Sequence, residues 1–337
     1  MKILLTGAPG WLGNRCLEVF LNGYHGEGSA LPAAEFRCLV LPGTDLSSFR
    51  KIYPVAEIAE GDVRDPSSLK KAVQGIDAVV HLVGVIHPKK VLDWTQINAE
   101  GTRHLIQACV EAGVRRVIHI SSNSVAGTTR QPVLMTETDL PNPYLGYGRS
   151  KYQAEQFVQN GCRRHGLEAV ILRPCWYYGP GQPDRQTRFL KMIKNGHPLI
   201  FGNGQNLRSM SYLDNTIQAI IQAIRTPVAN GQVYWIADEK PYKTIEIYET
   251  VARLLNVKKM TPRYLPDLIS EACLAADTVL QAAGIYISEI HVAGELNKHI
   301  ACSIEKAKKE LGYAPAVGLE EGWRRSIDWC RKTGVEI

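Results

Sequence analysis

The sequence places a tyrosine and a lysine four residues apart, in the segment Tyr147-Gly148-Arg149-Ser150-Lys151. On a helix, side chains four residues apart share a face, so the Tyr147 phenol and the Lys151 ammonium group can meet. A tyrosine acts as an acid or base near neutrality when its pKa falls from about 10, and a neighbouring cation has that effect. A short apolar run upstream delivers Ser121 and Ser122, whose hydroxyls are suited to hold a carbonyl oxygen. The pattern therefore indicates proton transfer at an oxygen atom.

Three glycines, Gly7, Gly10 and Gly13, lie between the apolar residues 3–5 and a helical pattern that starts near Trp11. A strand that turns tightly into a helix aims backbone N–H groups and the positive helix end at one point, which suits a dinucleotide pyrophosphate. Gly7 would make the turn, Gly10 would admit the phosphate, and Gly13 would let helix and sheet pack closely. The spacing G-x-x-G-x-x-G differs from the G-x-G-x-x-G of other dinucleotide folds.

The elements that must position these residues alternate along the chain. We predict strands over residues 3–5, 36–41, 56–60, 78–83, 117–120, 169–172 and 232–237. We predict helices over residues 11–21, 66–74, 94–112 and 212–224, and one that begins near Tyr147. Alternating strands and helices imply right-handed crossovers and a mainly parallel sheet with helices on both faces. We take the glycine-rich residues 22–29 as a surface insertion without an assigned role.

The alternation weakens after Arg173, where we interpret residues 180–211 as loops and residues 241–337 as mainly helical. Ser303 is placed to cap a helix that ends at Leu311-Gly312. We predict an α/β fold, a Rossmann doubly wound parallel sheet with a smaller C-terminal substrate domain. Residues 1–179 with 212–240 form the dinucleotide-binding domain, and residues 180–211 with 241–337 form the substrate-binding domain, which lies over the carboxyl ends of the strands.

Composition restricts the class of protein. The chain has 337 residues, 45% of them hydrophobic and 21% charged, as in ordinary globular proteins. The net charge of +6 comes from dispersed basic residues, which argues against a nucleic-acid partner. The eight cysteines show neither a C-x-x-C pair nor metal-ligand spacing, so we predict reduced core cysteines and no metal site. We see neither a signal peptide nor a membrane-spanning run, and predict a cytoplasmic protein without a membrane partner.

From Met1 to about Trp329 the chain resembles the extended short-chain dehydrogenase/reductase family. The matching segments are Thr6-Gly7-x-x-Gly10-x-x-Gly13, Gly61-Asp62-Val63, His81-Leu82-Val83-Gly84, Asn98-x-x-Gly101-Thr102, residues 120–127, the Tyr147–Lys151 pair, Arg173-Pro174 and Tyr178-Gly179-Pro180. The resemblance implies a nicotinamide cofactor and the catalytic residues Ser122, Tyr147 and Lys151. Tyr147 would be the general acid/base, Lys151 would lower its pKa and bind the nicotinamide ribose, and Ser122 would hold the substrate oxygen.

The resemblance also implies which residues contact the cofactor, with Asp62 at the adenine. These cofactor-binding residues are Thr6, Gly7, Gly10, Trp11, Leu12, Gly13, Asp62, Val63, Leu82, Val83, Gly84, Asn98, Tyr147, Lys151 and Pro174. The second strand ends in Leu41, which is neither the acid typical of NAD binding nor the arginine typical of NADP binding. Since Thr44, Ser47 or Arg50 can reach a 2′-phosphate, we favour NADP over NAD.

The substrate class has two main alternatives. Nucleotide-sugar epimerases of the family carry an Asn on the diphosphate where this chain has Trp176, although Arg208 matches their phosphate-binding arginine. Asn123-Ser124 replaces the Asp-Glu of sugar dehydratases, which argues against dehydration. Residues 202–206 and 212–215 look more like the 3β-hydroxysteroid dehydrogenase and dihydroflavonol reductase branch.

We therefore predict an NAD(P)-dependent oxidoreductase that transfers hydride at a secondary alcohol or ketone carbon of an apolar small molecule. A UDP-sugar 4-epimerase is the alternative, and an inactive cofactor-binding scaffold is disfavoured because the three catalytic residues are present. The candidate substrate contacts are Ser124, Trp176, Tyr177 and Arg208. The resemblance also implies a homodimer through helices near residues 94–112 and 147–165.

Overall fold

The structure, a computed structural model, describes residues 1–24, 28 and 30–337. Its strands are β1 (Lys2–Thr6), β2 (Glu35–Val40), β3 (Glu57–Glu60), β4 (Ala78–His81), β5 (Arg116–Ile120), β6 (Glu168–Pro174), β7 (Trp176–Tyr178), β8 (Leu199–Phe201), β9 (Leu207–Arg208), β10 (Met210–Tyr212), β11 (Val233–Ile236), β12 (Tyr242–Lys243) and β13 (Arg263–Leu265). Its helices are α1 (Trp11–Asn22), α2 (Ser47–Ile52), α3 (Pro66–Ala72), α4 (Gly101–Ala112), α5 (Leu145–His165), α6 (Asp184–Lys194), α7 (Leu213–Arg225), α8 (Thr244–Leu254), α9 (Asp267–Ala282), α10 (Ser288–Glu295), α11 (Glu305–Leu311) and α12 (Leu319–Thr333).

A seven-stranded parallel sheet has the order β11-β6-β5-β4-β1-β2-β3. Its central strands are in register at their carboxyl ends, where Thr6 pairs with His81 and His81 pairs with His119. The chain order reverses beside β1, the strand that leads into the glycine turn, and ligands bind at such a switch point in open α/β sheets. This arrangement confirms the predicted Rossmann α/β fold.

The sheet is buried on both faces, which explains why its strands are continuous apolar runs. On one face, α1, α7 and α11 cover a core that includes Phe20, Ile220 and Tyr313. On the other face, α3, α4 and α5 cover a core that includes Leu105 and Val158.

The C-terminal elements and the segment between β6 and α7 form short strand pairs and helices around a third core. The pairs β7–β10 and β8–β13 are parallel, and β9–β12 is antiparallel. Trp323 of α12 is fully buried between Tyr178 and Phe189, with ring centroids 5.2 and 5.4 Å away. The division of the chain into two domains at the predicted boundaries stays a prediction.

Three local sequence interpretations differ from the structure. Residues 180–211 are not simply loops, because α6 buries Phe189, Leu190 and Ile193 against the third core and three short strands follow it. The helix predicted from residue 94 begins with a π-helical segment, Trp94–Glu100. Ser303 lies one residue before the N-cap, Ile304, although its hydroxyl accepts the Glu305 amide at 3.4 Å.

Within the described ranges, no helix is long and apolar enough to cross a membrane. The same residues contain no group of three or more His, Cys, Asp or Glu side chains that could hold a metal ion. The predicted insertion at residues 22–29 lies partly outside the described residues, since positions 25–27 and 29 are not among them.

Candidate active site

The turn between β1 and α1 is built on close approaches to Gly7. Gly7 has φ of +88°, a conformation that favours glycine. A Cβ atom at Gly10 would lie 2.7 Å from the Gly7 carbonyl oxygen, and one at Gly13 would lie 2.6 Å from it. All three positions therefore require glycine, and they bring the backbone of the turn against the start of α1.

The N-terminus of α1 offers backbone donors without competition from the chain itself. Gly10 occupies the N-cap without a side-chain cap, and the first turn contains no acidic residue. Trp11 fixes this end, because its Nε1 donates to the Pro180 carbonyl at 2.7 Å. The half-buried Leu12 packs against the core beneath. A glycine-lined helix end with free N–H groups fits the pyrophosphate of a nicotinamide dinucleotide.

Thr6 ties the glycine turn to the end of β4. Its Oγ1 lies 2.7 Å from His81 Nδ1 and accepts the Leu82 amide at 3.2 Å. The other His81 nitrogen, Nε2, lies 3.0 Å from Thr102 Oγ1. Burial lowers the pKa of His81 to about 3, so its imidazole is neutral and holds the two hydroxyls. Thr6 acts here as a structural tie at the edge of the turn.

Asn98, in the π-helical segment, holds the loop after β4. Its amide donates to the Val85 carbonyl at 3.0 Å and to Ser150 Oγ at 3.0 Å, and its Oδ1 accepts the Val85 amide at 2.8 Å. Leu82 and Val83 are half-buried and Gly84 is exposed. A Cβ at Gly84 would lie 3.7 Å from Lys151 Nζ and 3.9 Å from Asn98 Oδ1. The predicted cofactor-binding loop therefore lies over Lys151.

Asp62 and Val63 follow β3, the edge strand of the sheet, where the family resemblance implies that Asp62 contacts the adenine. The Asp62 carboxylate accepts Arg64 Nη2 at 2.6 Å and the Arg64 backbone amide at 2.8 Å. Hydrogen bonds from Arg64 hold the pKa of the Asp62 carboxyl below its ordinary value. Val63 is buried under α4, where its carbonyl lies 3.2 Å from His104 Nδ1. The sequence did not single out Arg64, whose side chain is half exposed here.

The two predicted catalytic hydroxyls meet at the end of β5. Tyr147, in the first turn of α5, is hydrogen-bonded to Ser122, which lies in the loop after β5. The Ser124 hydroxyl donates to Ser122 Oγ at 3.0 Å, so three hydroxyl groups form a chain. Burial raises the pKa of the Tyr147 phenol, while Ser122 and the positive charge of Arg185 lower it.

Lys151 lies one helical turn after Tyr147, and its side chain contacts the end of β5. Its Nζ donates to the Ile120 carbonyl at 2.7 Å, and the residue is 2% exposed. Burial lowers the pKa of the ammonium group to about 8, against the opposing effect of Glu155. The positive charge of Arg185 also acts on the Tyr147 phenol. The role of Lys151 as the cation that lowers the Tyr147 pKa stays a prediction.

A buried ion pair between Glu155 and Arg173 joins α5 to the sheet. Glu155 accepts Arg173 Nε at 2.8 Å and Nη2 at 2.7 Å, and it also accepts the Ser121 hydroxyl at 2.5 Å. Both charged side chains are almost completely buried, and the two parallel hydrogen bonds compensate each charge with the other. The pair joins α5 to β6 and fixes Lys151 one turn away.

Trp176 and Tyr177 lie on β7, two residues beyond the buried Pro174. Trp176 packs edge-on against Phe189 at 5.5 Å, within the third core. Tyr177 lies edge-on to Trp11 at 6.4 Å. Its hydroxyl is buried without a hydrogen-bond partner among the described residues. Burial and the neighbouring Tyr147 raise the pKa of the Tyr177 phenol. The ring contact with Trp11 places Tyr177 beside the glycine turn.

Arg208 lies on β9, away from the surface, and is 8% exposed. Its Nη2 donates to the Glu295 carbonyl at 2.7 Å, while its Nε has no partner among the described residues. Burial lowers the pKa of this guanidinium and raises the pKa of the Glu295 carboxyl. Arg208 is thus held between β9 and the last residue of α10.

Polar residues of α9 and α10 that no sequence motif marks lie beside Tyr144, at the start of α5. The fully buried Asp277 accepts His291 Nδ1 at 2.7 Å, and the Tyr144 hydroxyl donates to it at 3.4 Å. Tyr144 stacks on His291 with a centroid distance of 5.2 Å. These contacts join residues up to 133 positions apart, so no local motif marks them.

The sheet and site define a nicotinamide-dependent enzyme of the Rossmann type. The chain belongs to the NAD-dependent epimerase/dehydratase family, whose model matches residues 3–237. This finding confirms the resemblance to extended short-chain dehydrogenases/reductases.

Three relatives illustrate the range of the family. Uncharacterized protein y4nL of Sinorhizobium fredii is 44% identical, over 98% of this chain and 96% of its own length. Isoform 2 of the 3β-hydroxysteroid dehydrogenase/decarboxylase of Arabidopsis thaliana is 29% identical over 79% of this chain, which spans only 50% of that relative. N-acetyl-α-D-glucosaminyl-diphospho-ditrans,octacis-undecaprenol 4-epimerase of Escherichia coli O157:H7 is 28% identical, over 79% of this chain and 75% of its own length.

Solved structures share the fold. DesIV, a dTDP-glucose 4,6-dehydratase of Streptomyces venezuelae with NAD and TYD bound, superposes with a TM-score of 0.80 at 24% identity, over 98% of this chain and 97% of its own.

Proposed function

We propose that this protein is an NAD(P)-dependent dehydrogenase/reductase that acts on a secondary alcohol or ketone of a mainly apolar molecule. The hydrogen bond between Ser122 and Tyr147, at the strand edge beside the glycine turn, carries the proposal. A bound nicotinamide cofactor supplies or accepts the hydride.

The chain's own residues handle the proton and the developing charge. Tyr147 gives its proton to the substrate oxygen on reduction, or takes one on oxidation. Ser122 donates a hydrogen bond to the same oxygen, and the Ser124 hydroxyl holds Ser122 in place. Lys151 presents its ammonium group between the end of β5 and Gly84.

Aromatic side chains support an apolar substrate. Trp176 stands where nucleotide-sugar epimerases carry a diphosphate-binding Asn, and the rings of Tyr144 and Tyr286 flank His291. The Arabidopsis relative is a hydroxysteroid dehydrogenase by name, and the E. coli relative carries a polyprenol in the name of its substrate. Both names include a large hydrocarbon body, although in the E. coli name it is joined to a sugar through a diphosphate.

The test is a panel of hydrophobic ketones and of UDP-sugars, with NADPH or NADH consumption and sugar epimerisation measured in parallel. We expect turnover of ketones that Tyr147→Phe reduces by about 10²–10⁴ and that Tyr152→Phe, on the same helix, leaves unchanged. Turnover of UDP-sugars alone would overturn the proposal.

One observation favours the alternative, a UDP-sugar 4-epimerase. The buried Nε of Arg208 lacks a partner among the described residues, so it is able to bind a diphosphate oxygen. If Arg208→Ala raises the KM for UDP-sugars about tenfold or more, the epimerase is the better assignment. Ketone turnover that is indifferent to this substitution supports the dehydrogenase.

For the cofactor we propose a preference for NADP. The exposed Leu41 follows the end of β2, at the position where NAD-binding proteins of this fold carry an acidic residue. Arg50 is exposed on α2 beyond it, whereas Thr44 is committed to the Leu41 carbonyl at 2.8 Å. A Km for NADP at least as high as that for NAD would contradict this preference.

A further inference from the structure

Helix α9 is amphipathic in the reverse of the usual sense. Its buried residues are Ser270, Asp277 and Gln281, all of them polar. Ser270 Oγ donates to the Ala293 carbonyl at 2.6 Å, and Gln281 Oε1 accepts the Gly146 amide at 3.1 Å. A surface helix of a globular protein turns its apolar stripe toward the core, whereas polar contacts hold α9 to the rest of the chain.

The apolar residues of α9 lie on its outward side, on a face that we call the α9 arc. The arc spans about 140° of the helix circumference, on the side away from Asp277. Leu268 is 76% exposed and Val279 is 69% exposed. All members of the arc are uncharged and exposed: Leu268, Ile269, Ala272, Ala275, Ala276, Val279, Ala282 and Ala283. A contiguous exposed apolar patch marks an interaction site.

The spacing within the α9 arc is that of a helix that packs against another helix. The apolar residues at positions 268, 272, 275, 279 and 282 follow one another at intervals of four, three, four and three. This repeat keeps one seam of side chains facing a partner helix along its whole length. The alanines among them allow the two helix axes to approach closely.

A membrane surface does not match the α9 arc. Helices that lie in a membrane interface carry Lys and Arg on the polar face and large apolar residues such as Trp, Phe and Leu on the other. Helix α9 contains neither a basic nor an aromatic residue, and its polar face is the one that the protein buries. The small side chains of the arc would also reach only a short way into a bilayer.

We propose that the α9 arc is a self-association surface, which binds the α9 arc of a second copy of this chain in antiparallel orientation. A two-fold axis beside Ala275 places Leu268 against Ala282 of the partner subunit, and Val279 against Ala272 of the partner subunit. Each bulky side chain then meets an alanine, as knobs-into-holes packing requires. The face is therefore complementary to itself, which is the property that defines a two-fold interface.

The area of this face is sufficient for a reversible contact. Helix α9 has 16 residues and is about 24 Å long. The arc adjoins a groove between α9 and α10 that Ile290 completes, so the face is about two helix diameters, or about 20 Å, wide. It covers about 500 Å² on each copy and about 1,000 Å² in the pair, which is the lower limit for specific association. We therefore expect association that depends on concentration and that is separate from the contact predicted through α4 and α5.

The first test measures the mass of the protein by sedimentation velocity from low to high micromolar concentration. We expect the mass of the wild type to double over this range. Ala275→Glu and Ala275→Lys should each prevent the doubling, because like charges would face each other across the axis. An equal mixture of the two variants should restore it, since opposite charges then meet. Lys332→Glu, on the exposed part of α12, is the control and should behave as the wild type.

Three results of this test would overturn the proposal. They are a wild-type mass that is independent of concentration, a mass of Ala275→Glu that doubles as in the wild type, and a mixture that behaves as its separate components. Flotation with vesicles of phosphatidylcholine and phosphatidylglycerol runs in parallel. Vesicle binding that Ala275→Glu abolishes, without any doubling of mass, would assign the arc to a membrane instead.

The second test locates the contact by cross-linking. Cys273→Ser first removes the native thiol of α9, and Ala275→Cys then places a thiol beside the proposed axis. With oxidised glutathione, we expect a covalent dimer that forms about tenfold or more faster than in the control Glu320→Cys, on the exposed face of α12. Equal rates for the two thiols would contradict the antiparallel arrangement.

Discussion

Lys151 donates to the carbonyl oxygen of Ile120 at 2.7 Å, so its ammonium group is anchored to the last residue of a central strand. The position of this charge is set by the sheet and by the buried Glu155–Arg173 pair behind it. Its distance from the end of β5 is therefore insensitive to the loops of the substrate-binding region.

Replacement of Tyr147 by Phe should reduce turnover by about 10²–10⁴ because the general acid/base is lost. Folding and cofactor affinity should stay unchanged, because the phenol hydroxyl contacts Ser122 rather than the core. Steady-state kinetics and thermal unfolding measure both. Activity within threefold of the wild type would remove Tyr147 from the mechanism, and Ser122→Ala should be the milder variant because water can replace its hydroxyl.

NADP or NAD should stabilise the protein by about 2.7 kcal/mol at a hundred times its Kd. Gly10→Ala should abolish this gain, because the added Cβ would lie 2.7 Å from the Gly7 carbonyl oxygen. The matched control is Gly318→Ala, whose Cβ would lie at an ordinary van der Waals distance of 3.7 Å from the Tyr242 hydroxyl. A thermal shift on cofactor addition that is as large in Gly10→Ala as in the wild type would contradict this view of the turn.

Glu155→Gln should lower the free energy of unfolding by about 3–5 kcal/mol, because it leaves the buried Arg173 without its counter-charge. Urea denaturation measures the change. The control is Glu320→Gln, which breaks an exposed pair with Arg253 and should have no measurable effect. Similar small losses in both variants would show that the buried pair contributes little.

The stability of the protein should depend on Asp238 between about pH 4 and 7. Burial raises the pKa of this carboxyl from 3.8 to about 7, against hydrogen bonds from Tyr178, Tyr212, Asn215 and Tyr242. In that interval the folded state binds the proton more tightly than the unfolded chain, so stability falls as the pH rises.

Asp238→Asn should remove this slope and stabilise the protein above pH 7, because the amide stays neutral. Tyr178 and Tyr242 both contact Oδ2 through hydroxyl groups, which can accept from the new amide. Unfolding free energies at several pH values are the measurement. A wild-type slope that persists in the variant would assign the effect to another group.

The chain should form a homodimer through α4, α5 and the π-helical segment before α4. Phe157, half-buried on α5, is the residue whose replacement by Glu should yield a monomer. Light scattering at micromolar concentration distinguishes the two states, with Gln156→Glu on the same helix as the control. A wild-type monomer would refute the expectation.

The sheet and the positions of Ser122 and Tyr147 were predictable because their signals are local. Buried parallel strands appear as apolar runs, and the glycine turn and the Tyr147–Lys151 pair each span a few residues. By contrast, α6 owes its burial to partners such as Tyr248 and Trp323, which lie far along the chain. The contact of Tyr144 with Asp277 could not be read from its neighbours for the same reason.

The hydrogen bond from Trp11 to Pro180 connects residues 169 positions apart, at the start of α1 and before α6. An indole at the start of α1 thus anchors the backbone that leads into α6, so a change of side chain at Trp11 would reach a part of the fold that is remote from it in the sequence.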